Sequence, residues 1–297
     1  MFDVIVVGGG PAGLSAALML GRCRRRVLVC DDGSPRNRTS QALHGYLTRD
    51  GIEPAELNRA GRQELAQYGV QHRAIHVVAA VREDRGFRVS FEGRADERAR
   101  FLLIATGVVD ELPPIPGFDA CYGRSIFHCP YCDGWEHRDR RLAAFGRGRS
   151  GALLALALKT WSPQVTLLSN GSRVEADLRA RLARNGVEHA RARVSRVVHD
   201  GGRLSEVAFE DGTTRPFDAI FFTTGQHARC SLAETLGCAF NRKGTVETGM
   251  LSDTNVDGVF VAGDASHDAQ FVVVAAAEGV KAALAINQAL QREELLP

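Results

Sequence analysis

The sequence predicts an α/β protein whose chain carries the same strand–helix–strand plan twice. A glycine-rich turn follows a short apolar strand at residues 8–13 and again at 146–151. Each turn opens a stretch of small and apolar residues that suits a helix, and a second apolar strand follows that stretch. A proline-rich segment, 112–117, lies between the two copies and indicates a hinge. The predicted fold class is therefore α/β with two Rossmann-like dinucleotide-binding domains.

The elements of the first copy follow from runs of apolar residues and the turns that interrupt them. In chain order we predict strands over 4–7, 27–30 and 101–104, and helices over about 14–20 and 54–68. In the second copy we predict strands over 142–145, 165–168 and within 217–225, and a helix over 152–160.

The C-terminal part has no counterpart inside the second copy. A strand over 259–262 leads into an apolar helix near 271–290, and we expect both to return and complete the first domain. The second domain is then inserted into the first. The predicted boundaries are 1–115 with 240–297 for the first domain and 116–239 for the central one.

Composition excludes several classes of protein. The chain has 37 basic and 35 acidic side chains among 297 residues, so nothing points to nucleic acid or an anionic membrane as partner. Met1 leads directly into a predicted strand, so we expect no signal peptide. The helix near 271–290 carries Glu278 and Lys281, which predicts a buried helix rather than a membrane span. Seven cysteines with one tight pair favour a cytoplasmic protein over a secreted disulfide framework.

The first glycine turn has the spacing of a dinucleotide site. Gly8 makes the tight turn, Gly10 lets a pyrophosphate approach the backbone, and Gly13 lets the helix pack on the strand. The N-terminus of the helix then offers free N–H groups to phosphates. Asp31 ends the second strand, where a carboxylate can bind ribose hydroxyls, and Asp32 is the alternative.

The paired cysteines Cys129 and Cys132 lie in the segment His-Cys-Pro-Tyr-Cys-Asp-Gly. A zinc site would need a second Cys/His pair nearby. Since none is present at suitable spacing, we predict no metal. The Cys-Pro-Tyr-Cys string is typical of glutaredoxins, but the next glycine turn begins too soon for a domain of that type. A redox-active pair ahead of a second glycine motif is the interpretation that remains.

Taken in order, these motifs resemble the FAD-dependent pyridine-nucleotide disulfide oxidoreductases, and among them the low-molecular-weight thioredoxin reductases. The resemblance covers essentially the whole chain: the first glycine motif, Ala-Thr-Gly after the strand over 101–104, Cys-x-x-Cys-Asp, the second glycine motif and a late Gly-Asp. It implies FAD as cofactor and a homodimer. The FAD site that it implies comprises Gly8, Gly10, Pro11, Ala12, Gly13, Asp31, Asp32, Asn37, Ala105, Thr106, Gly107, Gly263, Asp264, Ala265, Gln270 and Phe271.

The same resemblance assigns roles around the cysteine pair. Cys132 takes the position that faces the flavin, and Cys129 the position that exchanges with the substrate. Asp133 takes the position of the acid/base that moves a proton as thiolates form. His128 is an addition to the motif and could hold or relay a proton near neutral pH.

The second glycine turn departs from the family pattern. Gly146, Gly148 and Gly151 keep the spacing, but residues 169–172 read Ser-Asn-Gly-Ser. Neither a ribose-binding acid nor a basic cluster for a 2′-phosphate stands there. Arg147 and Arg149, within the turn, and Arg173, just after this segment, could contact a phosphate. We therefore do not expect NAD(P)H to be the natural partner, and a second dinucleotide or another flavin remains open for this site.

The sequence thus predicts an FAD-dependent enzyme that exchanges electrons between flavin and a dithiol or disulfide through Cys129 and Cys132. A thioredoxin-like protein or a small dithiol is the expected partner. Three alternatives stay open: an NADPH-dependent thioredoxin reductase, an oxygen-dependent dithiol oxidase, and a non-enzymatic flavin redox sensor. The direction of the reaction is not determined by the sequence.

Overall fold

The computed structural model describes residues 1–223, 225–266 and 269–295. Its strands, in chain order, are β1 Phe2–Val7, β2 Val27–Asp31, β3 Gln71–Ala74, β4 Val77–Glu83, β5 Gly86–Phe91, β6 Arg94–Ile104, β7 Val108–Asp110, β8 Ile126–Phe127, β9 Leu142–Phe145, β10 Val165–Leu168, β11 Glu188–Ala190, β12 Val194–Asp200, β13 Arg203–Phe209, β14 Thr214–Pro216, β15 Ala219–Phe222, β16 Gln226–Ala228 and β17 Val259–Val261. Its helices are α1 Pro11–Arg22, α2 Pro54–Ala66, α3 Phe118–Cys121, α4 Pro130–Asp133, α5 Gly148–Leu158, α6 Ala176–Arg184, α7 Leu232–Thr235 and α8 Val272–Glu294.

The described chain divides into two compact units. Unit 1 contains residues 1–38, 54–109 and 227–297, and unit 2 contains residues 39–53 and 110–226. The chain therefore leaves unit 1 and later returns to it, which agrees with an inserted domain. The predicted domain boundaries at 115/116 and 239/240 stay a prediction. The proline-rich segment predicted as a hinge packs on unit 2, where the Val197 N–H donates to the Pro116 carbonyl at 2.8 Å.

Unit 1 is built on a parallel sheet in the order β3-β2-β1-β6-β17, and β5 and β4 continue it from β6 as antiparallel strands. In its register Val4 pairs with Val27 on one side and with Phe101 on the other. One face packs against α1 and α8 and the other against residues around α7. Burial on both faces explains why the parallel strands are apolar without alternation.

Unit 2 repeats this plan in the order β11-β10-β9-β15-β8, with a separate antiparallel sheet β12-β13-β14. Leu142 pairs with Val165 and with Ala219. The fifth position, which β17 occupies in unit 1, belongs here to β8, which pairs in parallel with β15. The expectation that the last strand of unit 1 has no counterpart was therefore wrong. The counterpart comes before β9 in the chain instead of after β15.

Two of the predicted helices begin earlier than expected. α1 begins at Pro11 and not near residue 14, because proline suits the first position of a helix. α5 begins at Gly148, inside the glycine turn, and ends at Leu158.

Among the described residues one helix, α8, is long and apolar enough by length and composition to cross a membrane. Its inner face, including Ala282, Ile286 and Leu290, is fully buried in the core that it shares with α1. This burial agrees with the predicted buried helix.

Candidate functional site

The first glycine turn shows why each of its glycines is needed. Gly8 has φ +110°, and a Cβ there would lie 2.3 Å from the Ala105 carbonyl oxygen. A Cβ on Gly13 would lie 1.9 Å from the Gly8 carbonyl oxygen, so α1 can approach β1 only with glycine at this position. A Cβ on Gly10 would meet no atom within 4 Å. The turn is therefore closed at its first and third glycines and open at the second, where a pyrophosphate needs room.

Asp31 lies beside this turn, as predicted. A Cβ on Gly9 would come within 2.5 Å of the Asp31 Oδ2 atom, so the carboxylate lies against the backbone of the turn. The buried Nε2 atom of His72 lies 3.9 Å from the same oxygen and has no hydrogen-bond partner among the described residues. Burial lowers the pKa of His72. Asp32, the alternative, is exposed, and it accepts the Ser34 N–H at 3.0 Å.

The Ala-Thr-Gly motif after β6 and the Gly-Asp motif after β17 lie at the carboxyl edge of the same sheet, because β6 and β17 are parallel neighbours. Ala105, Thr106 and Gly107 follow β6, and Gly263 follows β17 with φ +82°. The Gly263 N–H donates to the buried Glu278 carboxylate at 2.7 Å. Of the remaining predicted residues, Pro11 and Ala12 begin α1, Ala265 is buried, Phe271 precedes α8 and Asn37 lies in a turn.

Asp264 has a partner that sequence reasoning missed. The Arg36 guanidinium donates to Asp264 Oδ2 at 2.9 Å and to Gln270 Oε1 at 2.6 Å. The arginine side chain is 13% exposed and that of Asp264 21% exposed. Arg36 thus holds two of the predicted cofactor residues relative to each other, one by an ion pair and one by a hydrogen bond. Arg36 stands next to the predicted Asn37, but no sequence pattern marked it.

These residues fit FAD. The open backbone at Gly10, the start of α1 behind it and the Asp31 carboxylate supply contacts for a pyrophosphate and a ribose. The unpartnered His72 Nε2 beside Asp31 leaves a polar group for a ligand to satisfy. Asp264 follows β17, and Arg36 joins it to Gln270. The resemblance assigns the ribityl chain and the flavin to these positions.

The cysteine pair forms a disulfide in unit 2. Cys129 and Cys132 are bonded across a Cα–Cα distance of 5.3 Å. β8 ends at Phe127, so the pair follows the fifth strand of its sheet, the position that Gly263 and Asp264 hold in unit 1. Pro130 begins the short helix α4, and the N–H groups of Cys132 and Asp133 donate to the Cys129 carbonyl at 3.2 and 3.3 Å.

Asp133 has the electrostatics of an acid/base group. Burial raises its pKa to about 7, the nearby Glu136 carboxylate adds to the rise, and His44 opposes it. His44 lies 3.5 Å from Glu136 Oε1 and 3.6 Å from Asp50 Oδ1. A carboxyl group that titrates near neutral pH can both give and take a proton there. His44 and Glu136 were not predicted, since their contact with the cysteine loop depends on residues 39–53 joining unit 2.

His128 contacts residues that were not predicted either. Its Nδ1 atom lies 3.1 Å from the Tyr122 hydroxyl, which donates to Asp110 Oδ2 at 2.7 Å.

The second glycine turn keeps the packing but differs at the ligand side. A Cβ on Gly151 would lie 2.1 Å from the Gly146 carbonyl oxygen, and one on Gly148 would meet only the Arg173 carbonyl oxygen at 3.9 Å. The Gly148 N–H donates to the Ser172 hydroxyl at 3.2 Å. A serine hydroxyl therefore accepts the backbone N–H at the start of α5.

The segment after β10 is held by hydrogen bonds to residues of β11 and β12. The Ser169 hydroxyl lies 2.9 Å from His189 Nε2, and the Asn170 side chain accepts the Val194 N–H at 2.9 Å. Burial lowers the pKa of His189. No acid stands at the end of β10. Residues 169–172 therefore include no carboxylate that could accept hydrogen bonds from ribose hydroxyls.

Comparison with known proteins supports the resemblance to the disulfide oxidoreductases. Residues 2–279 match the model of the pyridine nucleotide-disulphide oxidoreductases. A candidate thioredoxin reductase of Arthroderma benhamiae is 32% identical, with 98% of this chain and 81% of the relative aligned. The crystal structure of a candidate thioredoxin reductase, TrxB, from Bacillus anthracis superposes with a TM-score of 0.95 at 31% identity, over 99% of this chain and all of the other. The crystal structure of HlmI gives the same TM-score at 35% identity, over 99% and 93%.

The match covers both units and agrees with the fold, the two glycine turns and the disulfide, so the resemblance seen in the sequence is confirmed. The chain belongs to the pyridine nucleotide-disulphide oxidoreductases, as an FAD-dependent enzyme of the thioredoxin-reductase type.

Proposed function

We propose that the enzyme exchanges electrons between FAD and a dithiol or disulfide substrate through Cys129 and Cys132, and that NAD(P)H is not its natural partner. The observation that carries the proposal is the disulfide beside an aspartate whose pKa is raised to about 7. Thiol–disulfide exchange needs a group that accepts a proton when a thiol attacks and returns it when a thiolate leaves. Asp133 meets this requirement near neutral pH.

FAD supplies a two-electron acceptor and donor when it is bound. The roles proposed for the chain are to hold the pyrophosphate at Gly10, the ribose at Asp31 and the ribityl chain at Asp264. Arg36, by its ion pair with Asp264, orients that carboxylate. Cys129 is proposed as the thiol that exchanges with the substrate and Cys132 as the thiol on the flavin side.

The doubt about NAD(P)H rests on the second turn. Ser172 engages the Gly148 N–H, and residues 169–172 offer no carboxylate for a ribose. An adenosine phosphate without basic partners forfeits charge-assisted hydrogen bonds of about 1.5–3 kcal/mol each. Losing two of them weakens binding by roughly a hundredfold or more.

One observation favours the second candidate, an NADPH-dependent thioredoxin reductase. Exposed arginines stand at the carboxyl ends of β9, β10 and β11, and among the described residues none of them forms an ion pair. Since these strands are parallel neighbours, the guanidinium groups share one sheet edge, where they could bind a 2′-phosphate. They are Arg147, Arg149, Arg173, Arg191 and Arg193, and the last two were not predicted.

An anaerobic titration separates the candidates. NADPH, NADH and then dithiothreitol are added to the flavoprotein while flavin absorbance is followed, and oxygen is admitted at the end. We expect the dithiol to bleach the flavin and the nucleotides to leave it oxidised. Rapid bleaching by NADPH that is lost in Arg147→Ala/Arg149→Ala or Arg191→Ala/Arg193→Ala would establish the NADPH-dependent enzyme instead.

The thiol roles are tested in the same experiment. Cys129→Ser and Cys132→Ser should each lose turnover with a dithiol and keep FAD, and Cys23→Ser, at a partly exposed free cysteine, serves as the control. A long-wavelength absorbance band in Cys129→Ser alone is the expected sign that Cys132 is the flavin-side thiol. The band in Cys132→Ser instead would exchange the two roles.

The partner is proposed to be a thioredoxin-like protein or a small dithiol, in a cytoplasmic homodimer. Relatives named as thioredoxin reductases support the first of these. Reoxidation of the reduced flavin by oxygen at a rate that matches turnover would make the enzyme a dithiol oxidase. Membership in an enzyme family argues against the non-enzymatic sensor.

A further inference from the structure

Helix α8 carries a buried carboxyl group, Glu278, on a face that is otherwise made of small and apolar residues. Glu278 is 5% exposed, and its buried neighbours on that face include Ala275, Ala282 and Ile286. Burying a carboxyl group costs free energy unless hydrogen bonds compensate for the lost water. The chemistry proposed above does not use this side chain.

Glu278 meets the backbone of the Gly-Asp turn that follows β17. The last bond of the ladder between β17 and β6 is donated by the Ala262 N–H to the Ile104 carbonyl at 3.0 Å. The next N–H, that of Gly263, donates to Glu278 Oε2 at 2.7 Å. The Gly263 carbonyl accepts the backbone N–H and the hydroxyl of Ser266 at 3.0 and 3.1 Å. Both backbone groups of Gly263 are therefore held at the point where the chain leaves the sheet.

The residue after Glu278 joins α8 to the first glycine turn. A Cβ on Gly279 would lie 2.0 Å from the Ala12 carbonyl oxygen, so α8 can approach the start of α1 only with glycine at this position. A Cβ on Gly263 would lie 3.1 Å from the Cβ of Ala12. Ala12 thus lies against both α8 and the Gly-Asp turn. Glu278 and Gly279 therefore connect the turn proposed for the pyrophosphate with the turn proposed for the ribityl chain.

A single FAD molecule needs these two turns at one fixed separation, because its pyrophosphate and its ribityl chain are covalently joined. Arg36 holds the side chain of Asp264, and the hydrogen bond to Glu278 holds the backbone of the preceding Gly263. A site whose contacts are fixed before the ligand arrives loses less conformational freedom on binding. A fixed Gly-Asp turn therefore favours high affinity for FAD.

We propose that Glu278 is a positioning residue for FAD, which holds the Gly263 N–H and thereby keeps Asp264 at the separation from Gly10 that one FAD molecule spans. This inference rests on the proposed FAD contacts of Gly10 and Asp264 and adds the group that sets their separation. It does not depend on the substrate or on the direction of electron transfer.

The affinity of the apoprotein for FAD, followed by quenching of flavin fluorescence, tests the proposal. Glu278→Met keeps the length of the side chain and removes the acceptor, so the FAD dissociation constant should rise by about tenfold. Glu278→Gln keeps an oxygen that can accept the Gly263 N–H, and its dissociation constant should stay within about threefold of the wild type. An equal loss in both variants would overturn the proposal, because the hydrogen bond to Gly263 would then not be the cause.

Ile286→Val is the matched control, since it lies on the same buried face of α8 and loses one methyl group. It should lower the stability to urea while leaving FAD affinity and the visible circular dichroism of bound flavin unchanged. Glu278→Met should change that spectrum, because the ribityl chain is held differently. If Glu278→Met does not fold, Glu278→Ala takes its place with the same expected loss and the same spectral change.

A double-mutant cycle separates positioning from a general loosening of the core. Asp264→Ala alone should weaken FAD binding by about tenfold or more. Because Glu278 acts through the turn that carries Asp264, adding Glu278→Met to Asp264→Ala should cost less than about threefold. Losses that multiply would overturn the proposal.

The single variants tell the two possible failures apart. Wild-type FAD affinity in Asp264→Ala would refute the proposed FAD contact and this inference with it. Wild-type affinity in Glu278→Met, together with weakened binding in Asp264→Ala, would overturn the inference alone and leave the proposed contact standing.

Discussion

The two glycine turns share a backbone plan and differ in what surrounds it. In both, a Cβ on the third glycine would strike the carbonyl oxygen of the first, at 1.9 Å in unit 1 and 2.1 Å in unit 2. In both, the second glycine faces open space. Unit 1 adds Asp31 against the turn, whereas unit 2 places the Ser172 hydroxyl on the Gly148 N–H.

This difference separates the packing role of the motif from its ligand role. The first and third glycines are needed for the helix to lie on the sheet, whether or not a nucleotide binds. The ligand depends on the second glycine and on the residues after the next strand. A glycine motif without a ribose-binding acid or a basic cluster after the next strand is therefore evidence for a fold and only weak evidence for a cofactor.

The packing role of the turns is tested most directly by adding a methyl group at the third glycine of each. Gly13→Ala and Gly151→Ala should each destabilise the protein by about 3 kcal/mol, since backbone must move to admit the Cβ. Urea unfolding measures the loss, and Gly10→Ala, which meets no atom within 4 Å, is the matched control. We expect Gly151→Ala to retain flavin. A fully stable Gly151→Ala variant would contradict the packing role.

The second glycine of the first turn should separate stability from binding. Gly10 has φ −78° and ψ −176°, which any residue adopts, so Gly10→Val should leave the folded apoprotein intact by circular dichroism. Its FAD affinity should fall by roughly a hundredfold, or about 2.7 kcal/mol, because the side chain stands where the pyrophosphate approaches. Gly148→Ala, strained at φ +51°, should leave FAD binding alone. An FAD affinity in Gly10→Val equal to that of the wild type would refute the assigned site.

The two units also differ in the aspartate that follows the fifth strand of each sheet. Asp264 has Arg36 as its partner, whereas burial raises the pKa of Asp133 to about 7. Folding therefore favours the protonated form of Asp133. The stability that this proton contributes is complete below the unfolded pKa, near 4, and is lost as the pH rises towards 7.

Asp133→Asn should remove this dependence. Relative to wild type, we expect the variant to gain on the order of 2 kcal/mol of stability between pH 5 and pH 8, seen in unfolding of the oxidised protein at both pH values. If the difference in free energy of unfolding between the variant and the wild type stays constant with pH, Asp133 titrates far from neutrality in the folded protein.

The smallest effect is expected at Ser172. Ser172→Ala should lower stability by about 1 kcal/mol through the lost hydrogen bond and free the Gly148 N–H. Nucleotide affinity, followed by calorimetry with NADPH, should rise by less than tenfold. Ser172→Thr keeps the hydroxyl and serves as the control. A loss of NADPH binding in the alanine variant would mean that the serine holds the ligand instead of blocking it.

Sequence patterns predicted the fold well, because its determinants are local. Buried parallel strands are short apolar runs, and the glycine turns mark where helices begin. The strands 142–145 and 165–168 agree with β9 and β10 to the residue. β8, with two residues, is too short to show any pattern, so its place beside β15 was missed.

The predicted site residues were the ones that motifs label, and the partners that hold them were not. Arg36 meets Asp264 across 228 positions, and Ser172 meets Gly148 across 24. Such pairs depend on tertiary contacts, and nothing in their neighbourhoods distinguishes them from solvent-facing charge or loop serine. Tyr122 and Asp110 escaped notice for the same reason, although His128 itself was named.

The fifth strand of the sheet comes first in the chain in unit 2 and last in unit 1, and this difference bears on the order of folding during synthesis. Every residue of unit 2 has been made once the chain reaches position 226, because β8 precedes the rest of its sheet. Unit 1 must wait for β17 and α8, and until then the end of β6 that β17 will cover stays an open edge. Although domains generally fold from the N-terminus on the ribosome, the inserted unit is expected to finish first. The cysteine-bearing part would then be complete while the flavin-binding part is still unfinished.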